Sequence, residues 1–497
     1  MITAAGYELL ITFIVLFVIF AIVGFMGRSF RRGDMTQLHE WGLGGRKLGT
    51  ILQFFLQGAD WFTAYSILAI PSAVFALGAF GFFGVAYQAM VFTFASLFMP
   101  RLWKISKEKG YITIADYARG EFNSIGLSLS IVVLGIFATL FYIALQVDGL
   151  YAILGTTLLE SFHILPTSSA FKEYSLVILF IAFLVIAAFS FTSGVRGVSL
   201  GAIFKDVLVW TGLLTVIVAT LYYTHGFTNL FSGMPSKYLS LPRTEALAFS
   251  SSMLGVVFSA YLWPHNITGS WAAQSEDRLL KGYSLTILYA IPLALADVMA
   301  IAVYKIPSVH SFVFQLPAAS RGLYVIPGLL VSLVPPWLAG LALLGIFVGG
   351  LVPAALMAVT VGNMTGRDLA RMVKTNISAK GQTQVAKWAA VIFTLLSLAL
   401  LQVIPMTYAF QFYLVGAEVI LQFLPIAVIH PFFKFIRKEF AIAGLWIGSL
   451  ISIFVTLYAN HYKVISTTLY HDLYVGFIGL LINIIIVLIS LAFPKKS

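Results

Sequence analysis

The 497-residue chain contains no cysteine. Disulfide frameworks, thiolate metal centres and cysteine nucleophiles are therefore excluded, and nothing is learned of the redox compartment. Charge is scarce as well: 10% of the residues are Asp, Glu, Lys or Arg, against 60% hydrophobic, with a mean hydropathy of +0.96. A soluble chain of this size could not cover so much apolar surface. The eight histidines are scattered, mostly in expected loops, and no pair stands at a metal-ligand spacing. No glycine-rich loop ends in Lys-Ser or Lys-Thr, so ATP is not the energy source. With no catalytic constellation, no metal site and no cofactor signature, the chain is not expected to be an enzyme.

What is present is a succession of apolar runs of about 20 residues, the length that crosses a bilayer. Thirteen spans are expected, at about 7–27, 49–75, 79–102, 124–156, 175–195, 199–224, 246–269, 283–304, 329–362, 384–404, 407–431, 440–459 and 473–493. The fold class is all-α, a polytopic membrane protein. The first run, Tyr7–Met26, lacks a basic n-region and a cleavage site, and Arg28, Arg31 and Arg32 follow it. It reads as a retained helix and not a signal peptide. The net charge of +11 is placed with equal clarity: of 30 lysines and arginines, 23 fall in loops on one side, 6 on the other, and Lys205 lies inside a span. The positive-inside rule then puts the N-terminus outside and the C-terminus in the cytoplasm. The basic charge is a topology signal, and no nucleic-acid partner is implied. The longer outer segments, 157–174, 226–245 and 305–328, are proline-bearing and are expected to carry short surface helices.

Two spans are interrupted. In the second, Leu56–Tyr65 reads Leu-Gln-Gly-Ala-Asp-Trp-Phe-Thr-Ala-Tyr. Glycine weakens a helix, and a carboxylate in hydrocarbon costs a few kcal/mol or more. Such a segment persists where the helix unwinds beside a wet cavity, as in the binding sites of secondary transporters. On this reading Gly58, Ala59, Asp60 and Trp61 border the site; on the plainer one the segment is a kink with Asp60 turned to a neighbouring helix. The seventh span reads Tyr261-Leu-Trp-Pro-His-Asn-Ile-Thr-Gly269, where Pro264 removes an amide donor and His265 and Asn266 place polar groups at depth. Two broken helices of opposite direction, five spans apart, imply paired five-helix inverted repeats. These are 49–224 and 246–431, preceded by a first helix and loop over 1–48 and followed by two helices and a tail over 432–497.

Few charged residues fall well within the spans; they are Asp60, Asp148, Lys205, Asp206, Asp297 and Glu418. Burial weakens the hold of a lysine on its proton, so a buried Lys205 is a candidate proton carrier; alternatively its long chain snorkels to the cytoplasmic headgroups. Neighbours on a helix point about 100° apart, so Lys205 and Asp206 need not pair. Asp148 and Asp297 stand toward the outer ends of their spans, within reach of water. Glu418, mid-span, either faces the cavity or satisfies a helix contact. Tyr142 and Gln146 share a face of the fourth span and either line a solute path or pack against a neighbour.

At these residues the chain resembles the sodium:solute symporter family, whose members have the leucine-transporter-type fold with one extra helix before the core. The resemblance runs over most of the chain. It is carried by Trp41-Gly-Leu-Gly-Gly-Arg46, Gly58-Ala-Asp60, Gly110-Tyr-Ile-Thr-Ile-Ala-Asp-Tyr-Ala-Arg119 and Trp263-Pro-His265. Within the family, Gly58-Ala-Asp-Trp-Phe-Thr-Ala-Tyr65, Leu262-Trp-Pro-His265, Lys205-Asp206 and Leu351-Val-Pro353 are most similar to the prokaryotic monocarboxylate permease branch. The resemblance implies a multi-pass transporter in a prokaryotic cell membrane, with membrane lipid around it and a lactate- or pyruvate-like acid as solute.

One departure is informative. The family's common sodium site takes hydroxyls from a Ser/Thr pair in the ninth span, and backbone carbonyls at the broken second span. Counting back from Arg367-Asp368-Leu369, that pair corresponds here to Val352-Pro353, which offer no side-chain oxygen; Thr360 is the nearest hydroxyl. Where the family usually has Thr-Asp, this chain has Lys205-Asp206. The resemblance thus implies an ammonium in place of sodium. The expectation is a proton-coupled importer in which Lys205 holds the coupling proton and Asp206 stabilises its charged form. Freed N–H groups at the second-span break would bind the solute carboxylate. Trp61 and Trp263 would close over its apolar end, with His265 and Asn266 giving polar contacts. The alternatives are a sodium-driven symporter of another small solute, such as an amino acid, and a membrane sensor or channel. A sensor is expected to carry an output domain, and none follows Phe493; a channel would not concentrate its solute.

Overall fold

The computed structural model describes residues 3–30, 33–400, 409–462 and 467–493. Arg31, Arg32, Lys463, Lys495 and Lys496, counted above as loop cations, lie outside the described residues, as do parts of the expected tenth and eleventh spans. Among the described residues, nine helical stretches are at least 18 residues long and apolar enough to cross a membrane. Two are too long for one crossing. Tyr65–Lys109 and Ser169–Tyr223, of 45 and 55 residues, would run roughly 70 and 80 Å if straight, against about 30 Å of hydrocarbon. The first is divided by the turn Gly78–Phe82, where Gly78 has φ 69°.

The second is divided at Gly194, with φ 54° and ψ −145°. A Cβ there would lie 2.1 Å from the Trp41 carbonyl oxygen, so the turn needs glycine twice, for its dihedral and for its space. This corrects the loop expected at 195–199: one residue makes the turn and helix resumes at once. Arg196, which falls between the expected fifth and sixth spans and is one of the 23 cations assigned to loops on one side, is instead buried and ion-paired with Glu40. Segments 226–245 and 305–328 do carry short helices, Phe227–Phe231, Ser236–Leu239 and Pro307–Phe314. Segment 157–174 does not; the long helices Ile125–Phe162 and Ser169–Tyr223 take up most of it.

The centre of the bundle is Pro336–Met364, the expected ninth span. Its most apolar 18 residues are all buried, whereas only 22% of the corresponding window of Ala4–Met26 is. Hydropathy does not separate the two helices, because lipid is as apolar as the interior. In lipid the hydrophobic effect does not press one helix on another; close approach does, and glycine permits it. A Cβ at Gly340 would stand 2.4 Å from the Leu9 carbonyl oxygen. The central helix packs on the first, fourth, sixth and tenth spans.

The two ends differ. At the end bearing the basic loops, the helix Ile114–Phe122 starts at Thr113, whose hydroxyl caps the Asp116 N–H at 2.9 Å and donates to Asp368 at 2.6 Å. Asp116 pairs with Arg367 at 2.8 Å, and Glu121 with Lys109 at 2.5 Å and Lys434 at 2.7 Å. Burial pushes the Glu121 carboxyl up, but the two lysines more than offset it and hold it at about 2. A depressed carboxyl keeps its stabilising charge above its unfolded value of about 4 and loses it only as pH falls toward 2, so this clamp is intact at neutral pH. Arg46 adds bonds to the Trp271 and Tyr111 carbonyls at 3.1 and 2.6 Å. The opposite end opens into a vestibule of about 850 Å³ bordered by Ser72, Asp148, Lys172, Ser320 and Gln411.

Candidate functional site

Both interrupted spans are broken where the sequence places the breaks. In the second, helix Thr50–Ala59 ends at Asp60, and helical hydrogen bonding resumes at Tyr65–Ala69 and Ile70–Leu77. The carbonyls of Ala59, Trp61 and Phe62 are left pointing out of the helix. The Ser66 hydroxyl donates to the Trp61 carbonyl. The other two are taken by the Lys205 amine, at 2.8 Å from the Ala59 oxygen and 3.0 Å from the Phe62 oxygen. Asp206 Oδ1 stands 2.8 Å from the same amine as its ion-pair partner. The ammonium thus rests against two carbonyls and a carboxylate, and Lys205 and Asp206 are wholly buried. Lys205 therefore does not snorkel, and the two neighbours do pair, because a four-carbon stem spans the angle between them. The amine also stands at the C-terminal end of helix Thr50–Ala59, where the helix dipole favours a cation.

The surroundings of the amine explain several small residues. Tyr289 donates to Asp206 Oδ2 at 2.9 Å, and its ring passes over Gly58, where a Cβ would lie 1.9 Å from Tyr289 Cζ. Gly58 thus makes room for a bond to Asp206. We expect Gly58→Ala to displace Tyr289 and lower the midpoint of thermal unfolding by several degrees, the scale of an overpacked core; Gly58→Ala with Tyr289→Ala should recover most of it. An unchanged midpoint in the single variant would disprove the close approach. Val352 and Pro353 are buried. Val352 packs at Gly201, one turn before Lys205, and Gly349, one turn before Val352, comes against the Phe62 carbonyl oxygen. Val352, which the resemblance sets against a sodium-ligating hydroxyl, is thus on the side of its helix that faces Gly201, with no side-chain oxygen to offer. Thr360 is two turns further along the same helix, and its hydroxyl is buried with no partner among the described residues.

In the seventh span, helix Ala246–Ser259 gives way at Ala260–Leu262, and Pro264–Trp271 follows. Pro264 cannot donate to the carbonyl four residues back, that of Ala260. The Asn266 side chain fills the vacancy, donating to the Ala260 oxygen at 2.8 Å. His265 Nε2 and Asp60 Oδ1 share a hydrogen bond of 3.1 Å, which joins the two breaks directly.

Between the breaks is a pocket of about 20 Å³ lined by Asp60, Trp61, Thr63, Tyr65, Ser66, Tyr87, Tyr142, Val256, Ala260, Trp263, Asn266 and Tyr413. That is room for about one water. The Trp263 and Tyr413 rings are stacked, 5.8 Å apart at 7°, and Tyr142 stands 5.1 Å from Trp263. Trp61 meets Phe92 edge-on at 4.9 Å. Tyr65 and Tyr413, 4.5 Å apart, lie toward the vestibule, next to its wall residues Ala69 and Gln411.

The structure thus brings Asp60, Trp61, Tyr142, Trp263 and Asn266 onto one pocket. Gln146 is near but committed elsewhere: its Oε1 accepts the Ala64 N–H at 3.2 Å. The Thr63 N–H goes to the Ser66 hydroxyl at 3.1 Å, so the amides freed at the break already have protein acceptors. Ala59 contributes its carbonyl to the amine, and Pro264 and His265 support the wall. Asp297 is wholly buried with neither oxygen partnered among the described residues, and Asp148 is 4% exposed at the vestibule wall; Asp297 does not reach water as expected. Glu418 satisfies a helix contact, accepting Thr456 Oγ1 at 2.9 and 3.0 Å. Sequence reasoning missed Tyr65, Tyr87, Tyr413 and Tyr289. A tyrosine in a long apolar span carries no signal of which way it faces.

No family model matches the chain. The chain is 30% identical over 448 residues to a monocarboxylate transport permease protein of Rhizobium johnstonii, a match covering 88% of this chain and 87% of the relative. It is 28% identical over 500 residues to the uncharacterized symporter YodF of Bacillus subtilis, covering 98% and 94%. It is 23% identical over 320 residues to a sodium/proline symporter of Staphylococcus aureus, covering 61% and 58%. Among solved structures, the substrate-bound outward-open state of a Na+-coupled sialic acid symporter matches with a TM-score of 0.77 and 15% identity, over 100% of this chain and 99% of that one. At that identity the likeness is one of fold.

Proposed function

The chain belongs to the sodium:solute symporter family, and from that premise we propose that it imports a short monocarboxylate such as lactate or pyruvate, coupled to protons. Its fold is of the leucine-transporter type, and it is a multi-pass membrane symporter of a small molecule, not an enzyme. The observation that carries the proton reading is the Lys205 amine on the Ala59 and Phe62 carbonyls. A cation that belongs to the chain occupies the position that the family resemblance gives to sodium. A buried lysine can release and regain a proton, and Asp206 favours its charged form. Protonation would then do what sodium binding does, fixing the second-span break against the sixth span.

The repeats 49–224 and 246–431 would rock about the two breaks, with the N-terminus outside and the C-terminus inside. The pocket holds about one water and so must widen for a three-carbon acid, which fits an occluded stage of alternating access. The carboxylate would replace Gln146 and Ser66 at the Ala64 and Thr63 amides, at the N-terminal end of the outer half-helix. Trp61 and Trp263 would cover its methyl group.

A second reading rests on Asp60. A carboxylate lining the pocket suits an ammonium, as a sodium-coupled amino acid symporter needs. Competition separates the two. In proteoliposomes loaded with unlabelled lactate, entry of labelled lactate should be suppressed at least tenfold by pyruvate in excess and left unchanged by proline or alanine. Suppression by the amino acids alone would replace the monocarboxylate reading with the second.

A further inference from the structure

Asp60 is the sole charged side chain among the described residues lining the pocket. This is awkward for an anionic solute. Two carboxylates roughly 5 Å apart, at an effective dielectric constant of about 20, repel strongly enough to weaken binding on the order of a hundredfold. Lys205 offers little relief, because Asp206, 2.8 Å from the amine, already balances its charge.

The relief at hand is His265. Its Nε2 faces Asp60 Oδ1 at 3.1 Å, and its Nδ1 is buried with no hydrogen-bond partner among the described residues. A neutral imidazole that donates from Nε2 keeps an unprotonated lone pair on Nδ1, free to take a proton. The ring packs between Tyr142 and Trp263, at 5.5 and 5.9 Å between centroids, both of which line the pocket. The other titratable groups around the pair are Tyr65, Tyr87, Tyr142, Tyr261 and Tyr413, whose phenols carry no charge near neutrality, and the Lys205–Asp206 pair at the far side of the break.

We infer that Asp60 and His265 form a second proton site, on the solute pocket itself, which takes up one proton as the carboxylate binds. The proton is shared by the pair and belongs to neither residue alone. Free, the pair carries one negative charge. With the solute and the proton bound, the total charge of the pocket is unchanged, so the carboxylate enters without net repulsion. His265 does not line the pocket and acts through Asp60 as a positioning residue. The inference rests on the monocarboxylate reading, and its test is separate from that of the reading.

The test is calorimetry of lactate binding to the purified transporter at pH 7.5, in two buffers of different ionisation enthalpy, with the wild type, Asp60→Asn and His265→Gln. The expected result is uptake of about one proton per lactate in the wild type and less than about a third of that in both variants. In equilibrium exchange with equal pH on both sides, the wild-type KM should rise about tenfold per pH unit above neutrality, and the Asp60→Asn KM should be flat. Lactate binding with no proton uptake, or a KM slope that survives in both variants, overturns the inference and leaves the proposed function standing. Absence of lactate binding in a folded wild type overturns the proposed function and the inference with it.

Discussion

Lys205→Met is expected to cut proton-driven accumulation about tenfold per pH unit while solute exchange continues. With one proton held at Lys205 and one taken up with the solute, each pH unit of gradient sustains about a hundredfold accumulation in the wild type; the variant, left with the pocket proton alone, should reach about tenfold. The reason is local. Methionine keeps the apolar stem but brings no hydrogen to the Ala59 and Phe62 carbonyls, which the amine holds at 2.8 and 3.0 Å. No proton can then be loaded at the break. Removing one partner of a buried pair also leaves Asp206 with only Tyr289, at a cost of about 3–5 kcal/mol. The double variant Lys205→Met with Asp206→Asn removes both charges, and it should recover part of the lost stability without recovering accumulation. Accumulation that persists unchanged in Lys205→Met would remove Lys205 from the coupling mechanism.

Asp60→Ala is expected to cripple exchange as well as accumulation. The carboxylate joins the second-span break to the seventh through His265 and lines the pocket. Without it, His265 has neither ring nitrogen partnered, a buried loss of about 1–3 kcal/mol, and the break is free to shift. Misplacing a bound solute by about an ångström lowers a rate on the order of a hundredfold, so exchange should fall by about that factor in protein that still purifies as a single folded species. Exchange within about twofold of the wild type would reduce Asp60 to a residue that shapes a kink.

What could be read in the sequence depended on whether the signal was local. A run of apolar residues states its own length, so the all-α, membrane-spanning class of the chain was legible. Gly58-Ala-Asp60 and Trp263-Pro-His265 break helices through their own backbones, so both interruptions were legible too. Lys205 stood out because a charge in an apolar run is costly wherever it points. The direction in which a side chain points was not legible. Tyr289 reaches Asp206 across 83 residues of chain, and no local pattern announces that. Hydropathy placed Asp297 near an outer end but not on a buried face. The angle between adjacent residues left the pairing of Lys205 with its neighbour open, and the reach of the lysine stem decides it. The sequence left Gln146 either lining a solute path or packing against a neighbour; a backbone amide, that of Ala64, occupies its oxygen. The one-residue turn at Gly194 hid for a related reason: glycine within an apolar run is common, and its φ of 54° appears only when Trp41 is packed against it.

The most direct test of the account is uptake of labelled lactate and pyruvate into proteoliposomes, comparing an inward proton gradient with an inward sodium gradient at constant membrane potential. Accumulation driven by protons, with no added effect of sodium, is the predicted result, because an amine stands where the resemblance puts the ion. Accumulation driven by sodium at constant pH would contradict it.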